Sequence, residues 1–478
     1  MNYDQLMQID LAKLGAAVAD WKRMAGDLQR LGGDARDGMK TQAAKARWEG
    51  VNAGVTRQFV DKTVKEFEDL HTEAQSIFSV IDDAHTELVG LQQQAKSLTD
   101  DARKNGLAVS AGKGGAVVIS EALECSVTRS QRTTDLMHWY ADTLTGILAH
   151  AAEIDAAAVR ALRASHGGDP NNAGHAVYTS LDQDMLPRAL KLAALGSHAD
   201  EAQQKELRRL WQSLGPESRA QMWAGHKGDL LAAGLLTPQV KRVSADKGAG
   251  PYGTESPGAA DYWNFLQAKG ISTAGDFIGM PDAARHMDHY LRGTGTPLDL
   301  DVDRMLNDDA HLRAAGESAR ANEREEWRRQ ALEAFEKSGG KPVAIPVETY
   351  GVGYEHEDGT GPKRNWYLAV GRGMTNTTGV VTAVAGPDGS PQVAIDYQVN
   401  VWDRYNWDPG KSTPIGPTTV TDSDMARFHT VGLAREFDMR GSSSVQGYDL
   451  NAGGVGPAPA DPGRDGTRTD LGRNGDAR

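Results

Sequence analysis

The chain has 478 residues, 39% of them hydrophobic and 24% charged, enough for about two to four domains with ordinary buried cores. A formal charge of -13 repels phosphate groups and excludes nonspecific binding of nucleic acid or anionic lipid as the protein's main business. The single cysteine, Cys125, excludes an intrachain disulfide and a cysteine-based zinc cluster, and packs most simply as a small apolar residue.

The opening stretch MNYDQLMQIDLAKLGAAVADWKRM lacks a cationic start, an uninterrupted apolar run and a small-residue cleavage site, so it is no Sec signal peptide. No apolar stretch reaches the roughly 18 residues of a membrane span, so no transmembrane segment is expected. The expected localisation is secretion by a route that needs no Sec signal, with the protein cytoplasmic before export. Met7, Leu11, Leu14, Val18, Trp21, Ala25 and Leu28 alternate steps of four and three, which draws one apolar seam along a helix that must pack on a partner. Val60, Val64, Phe67, Ala74, Phe78, Ile81, Leu88, Ala95 and Leu98 keep the same rhythm. Two long antiparallel helices are expected. Between them two places can turn the chain: Gly32-Gly33, with Trp48 then a core residue, or Trp48-Glu49-Gly50, where glycine tolerates positive φ and tryptophan needs a covering surface.

Trp48-x-Gly50 between two such series resembles the WXG/LXG superfamily of type VII (ESX) secretion substrates. That resemblance implies a helical hairpin whose tip, Trp48 with Gly50, meets the secretion machinery or a small helical partner. The family's export signal, a tyrosine followed four positions later by an acid, is missing at the end of the second helix, although Tyr178-Thr-Ser-Leu-Asp182 has the spacing in the next segment.

A glycine-rich loop from Asn105 to Gly115 precedes a third helical stretch, from about Glu121 to Ser165. Its end, AAEIDAAAVRALRAS, looks like the closing helix of the amino-terminal modules of large actinobacterial ESX-associated proteins. LRRLWQSLGPESRAQMWAGHKGDLLAAGLL predicts a helix-turn-helix similar to the segment that precedes an effector domain in those proteins. The expected organisation is a helical secretion module over 1–165, a helical middle over 166–243, a Gly/Pro/Ser linker over 244–260, an α+β effector domain over 261–450 and a disordered tail over 451–478. The fold class is therefore multidomain: an all-α amino-terminal hairpin or bundle, a helical middle and an α+β carboxyl-terminal domain with an antiparallel sheet.

In that last domain helices are expected at about 259–270, 281–293 and 307–338, the ANEREEWRRQ run of the third being a solvated face of ion pairs. Strands are expected at Asn365–Gly371, Gly379–Ala385 and Gln392–Trp402, the last two joined by Gly386-Pro387-Asp388-Gly389 in an antiparallel meander. His286-Met-Asp288-His289 reads as surface, and Asp299, Asp301 and Asp303 as a solvated strand face without the glycine and distal glutamate of a calcium loop.

In the third strand Val393, Ile395, Tyr397, Val399 and Val401 share one phase, which carries Asp403 and Tyr405 to the core side and Arg404 to the other. An unpaired buried carboxylate costs several kcal/mol, so Asp403 requires Lys411, Arg435 or a bound cation. A turn at Pro409-Gly410 can return Asp408 and Lys411 over the same end of the sheet. Thr421-Asp422-Ser423-Asp424 starts a helix through MARFHTVGLAREF, with Met425, Phe428, His429 and Gly432 on one face. A helix-interior glycine costs roughly 1 kcal/mol, so Gly432 signals close approach of another backbone. His429 is either a satisfied core histidine or an acid/base beside Asp403 and Asp408.

Asp403-x-Tyr405-x-x-Asp408 after an aromatic-rich strand resembles the colicin M-type toxins, which carry an Asp-x-Tyr-Asp motif after a curved sheet and hydrolyse the lipid II pyrophosphate linkage with a divalent cation. Asn406 stands where that family has its second carboxylate, and the following His-Arg pair is absent. With the readings above, the candidate catalytic set is Asp403, Tyr405, Asp408 and His429, with Mg²⁺ or Ca²⁺ held by Asp403 and Asp408, and Asn406, Lys411 and Arg435 in support. No G-x-S-x-G, Walker A, H-E-x-x-H or CxxC signature occurs. The leading expectation is a type VII-secreted antibacterial effector with a metal-dependent phosphoesterase acting on the cell envelope, an immunity protein as partner and no nucleic acid. The competing one is a non-catalytic interaction or structural protein of the envelope or secretion apparatus, in which the Asp403–Asp408 segment is a bonded strand end.

Overall fold

A computed structural model describes residues 1–45, 51–121, 131–166, 176–238, 248–277, 279–407, 421–454 and 456. The chain forms two compact units, Met1–Leu235 and Leu236–Arg478. No described helix is long and apolar enough to cross a membrane.

The first unit opens with α1 (Tyr3–Gln8), whose Asn2 cap and Gln5 satisfy each other's backbone amides. Next come α2 (Ala12–Asp34), a π-helical continuation (Ala35–Lys40) and α3 (Thr41–Lys45). The long α4 (Val51–Lys104) runs antiparallel to α2. Partners fall in descending order along it: the Tyr3 hydroxyl meets Thr99 Oγ1 at 2.9 Å, Gln92 Nε2 donates to the Leu6 and Ile9 carbonyls at 2.9 and 3.0 Å, and His71 Nδ1 meets the Ala25 carbonyl at 2.9 Å. The apolar seam falls where its rhythm places it, with Val18, Ala25, Val60, Val64, Ile81, Leu88 and Ala95 all buried. Gly32 and Gly33 lie within the continuous helical run, so the chain does not turn there; Gly32 is buried facing Phe67. Trp48, Glu49 and Gly50 lie outside the described residues.

The segment expected as a glycine-rich loop is a β-hairpin, β1 (Leu107–Ala111) paired with β2 (Val117–Glu121). Leu107 and Ile119 are its buried residues, an alternation too short to stand out among the surrounding glycines. The third helix, α5, is described over Gln131–His166, and Glu121, its expected start, is the last residue of β2. Cys125 lies outside the described residues. Beyond it, α6 (Asp182–Ala193), α7 (Glu201–Ser213) and α8 (Pro216–Ala232) complete the unit. Buried Glu153 of α5 ties α6 and α7 to it, accepting from Arg160, Arg188 and Arg209 at 2.9, 2.8 and 2.9 Å. The turn between α7 and α8 is held by the Asp182 carboxylate, which accepts from the Gly215 amide at 2.9 Å.

The second unit begins with α9 (Ala259–Phe277), α10 (Pro281–Leu291), β3 (Leu298–Asp299), α11 (Val302–Asp308) and α12 (Ala310–Lys337). Then follow β4 (Val343–Glu348), β5 (Val352–Glu355), α13 (Pro362–Ala369), β6 (Arg372–Ala385), β7 (Pro391–Tyr405), α14 (Asp422–Thr430), β8 (Phe437–Ser442) and β9 (Gln446–Asp449). The sheet order is β3-β8-β7-β6-β4, with β5 on β6 and β9 on β7; every pair but β3–β8 is antiparallel. α12 packs on β4 to β7, burying Leu312, Trp327, Ala331 and Phe335, while its Arg329 pairs with Glu326 at 2.5 Å and with Glu333 on the solvent side.

Four local expectations change here. Asn365–Gly371, expected as a strand, lies mostly in α13, where Asn365, Trp366 and Ala369 share a buried face at helical spacing. Gly361 at φ +59° and Pro362 at the first helical position set its start. His286, expected at the surface, is buried with Nδ1 2.8 Å from the Ala369 carbonyl. Asp301 caps α11, and Asp303 accepts from the Ser444 amide at 2.8 Å, so neither belongs to a strand face. Residues 248–258, read as part of a linker, are strapped to the end of α14: the Gly253 and Glu255 amides donate to the His429 and Thr430 carbonyls at 3.0 Å.

Candidate functional site

The far end of β7 carries the residues singled out in the sequence. Val393, Ile395, Tyr397, Val399 and Val401 are buried on one face, and Tyr405 continues it. The Tyr405 ring stacks on Phe437, with centroids 5.0 Å apart, and tilts against Tyr290 at 5.8 Å. Burial drives its phenol far above the ordinary range, so Tyr405 stays protonated as a core group. Asp403 is half-buried and sits opposite Met439 of β8. Arg404, on the opposite phase, is half-buried rather than free: it donates to the buried Glu436 at 3.3 Å, and Glu436 in turn accepts from the Ala249 amide at 2.8 Å. Arg435, one of the cations expected for Asp403, lies with its guanidinium 4.9 Å over the Tyr252 ring. Asn406 follows the strand end, half-buried. Asp408 and Lys411 lie outside the described residues.

α14 starts where expected, with Thr421 and Asp424 forming a capping box, but ends at Thr430 instead of running through Gly432. Gly432 adopts φ +76°, the left-handed conformation that closes a helix, and a Cβ there would stand 3.6 Å from the Gly253 backbone, an ordinary contact. The glycine is therefore required by its positive φ beyond the helix end, not by the close backbone approach expected of it. His429 is buried with both nitrogens bonded: Nε2 donates to the Gly250 carbonyl at 3.0 Å and Nδ1 accepts from the Glu436 amide at 3.1 Å. Burial lowers its pKa against the pull of Glu436, which leaves a neutral imidazole whose hydrogen bonds are spent on backbone. Of the two readings open for His429, the satisfied core histidine matches this geometry.

A second group, invisible in the sequence, converges near Asp403. In the sheet Tyr354 pairs with Gly373, and the β6–β7 ladder ends at Met374–Trp402, so Asp403 comes level with Gly373 one step further on. A Cβ on Gly373 would stand 2.8 Å from the Tyr354 hydroxyl oxygen, so the phenol ring lies across this glycine. Burial raises the Tyr354 pKa strongly, and the negative charges of Asp403 and Asp309 push it the same way. Two residues on, His356 is buried; its amide donates to the Gly371 carbonyl at 2.8 Å and its Nδ1 is hydrogen-bonded to Asp309 Oδ2. Asp309 is the cap of α12, its Oδ1 accepting from the His311 amide at 2.6 Å and the Leu312 amide at 3.2 Å. Burial would raise the Asp309 carboxyl, but the bond and charge of His356 and the two amides outweigh it and hold the group below its usual pKa.

The walls are aromatic. The His356 ring stacks near Trp366 at 6.5 Å and meets Tyr354 edge-on at 5.0 Å; Trp366 is fixed by its Nε1 bond to Asp308 at 3.0 Å, with the Arg304 guanidinium over its face. Within this shell His356 Nε2 and the Tyr354 hydroxyl are buried without a hydrogen-bond partner among the described residues. Each such omission costs about 1–3 kcal/mol, and folded proteins rarely tolerate it without a reason. When the imidazole is neutral, an ionised Asp309 on Nδ1–H leaves the Nε2 lone pair as a proton acceptor. Among the described residues no three His, Cys, Asp or Glu side chains gather as metal ligands. The period-two spacing of Tyr354 and His356 was a signal available in YGVGYEHEDG; nothing in the sequence ties it to Asp309 or Asp403.

No family model matches the chain, and no curated protein does. Among solved structures the chain is similar to PaeM, a colicin M-like bacteriocin produced by Pseudomonas aeruginosa, at 12% identity, over 67% of this chain and 88% of that one, with a TM-score of 0.19.

Proposed function

We propose that the chain is an exported antibacterial effector whose second unit hydrolyses a phosphate ester of the cell envelope from the end of the sheet that carries Asp403. The observation that carries this reading is the gathering of a half-buried Asp403, the Tyr354 phenol and the Asp309–His356 pair at one end of an aromatic-walled sheet. Strong perturbation of titratable groups around unpartnered polar atoms is what a reaction site needs and a plain core avoids. The substrate class follows the resemblance of Asp403-x-Tyr405-x-x-Asp408 to the colicin M-type motif. Export by a type VII route follows the helical hairpin of the first unit and its Trp48-x-Gly50, with the secretion machinery or a small helical partner as its contact and an immunity protein for self-protection. A divalent cation, Mg²⁺ or Ca²⁺, belongs to the same proposal: Asp403 and Asp408 would hold it, and it would neutralise charge on the phosphate.

The test expresses the full chain in a susceptible bacterium with and without an added Sec leader. Killing confined to the periplasmic form and abolished by Asp403→Ala is the expected result. Killing confined to the cytoplasmic form would move the substrate out of the envelope. No killing in either compartment would leave the bonded strand end, Arg404 on Glu436, as the better account, and with it a non-catalytic role. With the purified full chain, phosphoester hydrolysis should stop with EDTA and return with added Mg²⁺ or Ca²⁺; activity indifferent to chelation would remove the cation.

A further inference from the structure

We infer that the Asp309–His356 pair is the general base of this site and that the hydrolytic water sits between His356 Nε2 and the Tyr354 hydroxyl. The inference rests on the phosphoesterase reading and adds to it residues that neither the strand phase nor the motif pointed to.

Four observations lead there. First, His356 is oriented from both sides, its amide on the Gly371 carbonyl and its Nδ1 on Asp309, so the ring is held in one pose with Nε2 left over. Second, Asp309 is itself fixed by two amides at the start of a 28-residue helix, so the carboxylate is held in place as the orienting partner of the imidazole. Third, Nε2 and the neighbouring Tyr354 hydroxyl are both buried and unpartnered among the described residues. A water molecule answers both, donating one hydrogen to the Nε2 lone pair and accepting from the phenol. Fourth, Gly373 is what allows the phenol to lie toward Asp403, since a methyl group there would strike the hydroxyl. In this proposal the water lies against His356 and the phenol, and a phosphate group approaches from the side of the half-buried Asp403, whose charge acts on Tyr354.

The step balances without a further reactant. As the water oxygen bonds phosphorus, one of its protons passes to His356 Nε2, and the bond from phosphorus to the leaving oxygen breaks with its electron pair on that oxygen. Asp309 stabilises the imidazolium, and the proton returns to solvent when products leave. Tyr354 stays protonated throughout and serves as a donor.

The most informative variant is Asp309→Asn. Its side-chain oxygen can still cap α12, but its amide faces Nδ1, so the imidazole must carry its proton on Nε2 and loses the lone pair that takes the water's proton. With the full chain and bis(p-nitrophenyl) phosphate as probe, Asp309→Asn and His356→Gln should lower kcat about 10²–10⁴-fold, the range of general-base catalysis. The limb of the pH–rate profile that reports titration of the base should vanish in His356→Gln, which a purely structural role would not produce. Tyr354→Phe, which keeps the ring, should lower kcat by a smaller factor at unchanged melting temperature. Native-like melting with wild-type kcat and pH profile in Asp309→Asn or His356→Gln would overturn the general base while leaving the phosphoesterase standing. A wild-type chain that hydrolyses no phosphoester and kills no cell would overturn both. If His356→Gln fails to fold, Asp309→Asn and Tyr354→Phe decide the matter.

Discussion

A single methyl group tests the residue scale. At Gly373 an added Cβ would lie 2.8 Å from the Tyr354 hydroxyl and 3.0 Å from the ring, which would push the phenol off its place across the glycine. Gly373→Ala should therefore cost about 1–3 kcal/mol, as overpacking does, measured by urea unfolding. An unchanged midpoint would mean that Tyr354 moves freely. His429 gives a second prediction. Replacing it by alanine strips the Glu436 amide and the Gly250 carbonyl of their partners at once, so His429→Ala should lose about 1–3 kcal/mol, with faster amide exchange in residues 249–255 as the local readout. At this scale the sequence was half legible. The strand phase put Asp403 and Tyr405 on the right side because period-two alternation survives in any sheet. It could not find Asp309 or His356, since a contact across 47 residues leaves no local trace.

At the scale of elements, α14 shows what capping does and what tertiary contact overrides. Thr421→Ala removes the hydroxyl that accepts from the Asp424 amide at 3.2 Å, and should cost about 1 kcal/mol, seen as a lower unfolding midpoint with the slope preserved. Its start was readable because a cap is a local chemical event. Its end was not, because Gly432 costs a helix interior too little to forbid it, and what stops the helix is the 248–258 strap seated on the His429 and Thr430 carbonyls. The same competition explains α13 and the β1–β2 hairpin. NWYLAVG is apolar enough for a buried strand or a buried helix, and only packing on α10 and α11 selects the helix. The long helices α2 and α4 left no such choice, since a seam repeated over many turns fits one period alone.

For the whole molecule half-buried His150 and buried His286 predict how stability follows pH. His150 in the first unit and His286 in the second are each lowered to about 4 by burial, with nearby arginines adding to it. A histidine whose folded pKa lies below its unfolded value binds its proton more tightly in the unfolded chain. Its contribution is thus intact above about 6.5 and is lost as pH falls toward 4, by on the order of 3 kcal/mol for each group. The carboxyls of Asp83, Glu87 and Asp282, raised by burial, act in the opposite sense as the medium becomes acid, so a substitution isolates the histidine share. Between pH 6.5 and 4 the wild type should lose stability relative to His150→Gln, followed by guanidinium unfolding at fixed pH steps. A difference between the two that does not change with pH would show that His150 is not held neutral by its surroundings.

Sequence by itself determined the long antiparallel helices, the solvated face of α12, the antiparallel pairing of β6 with β7 and the phase that carries Asp403, because each is written in a repeat, a turn or a cap that acts within a few residues. Tertiary structure decided where α14 stops, that residues 362–369 are helical, that His429 is occupied by backbone, and that Asp309, Tyr354 and His356 meet near Asp403. Those outcomes depend on contacts such as His356 with Asp309, 47 positions apart, and His429 with Gly250, 179 apart. Burial, strand register and unpaired hydrogen bonds come into being only when such distant segments are packed together.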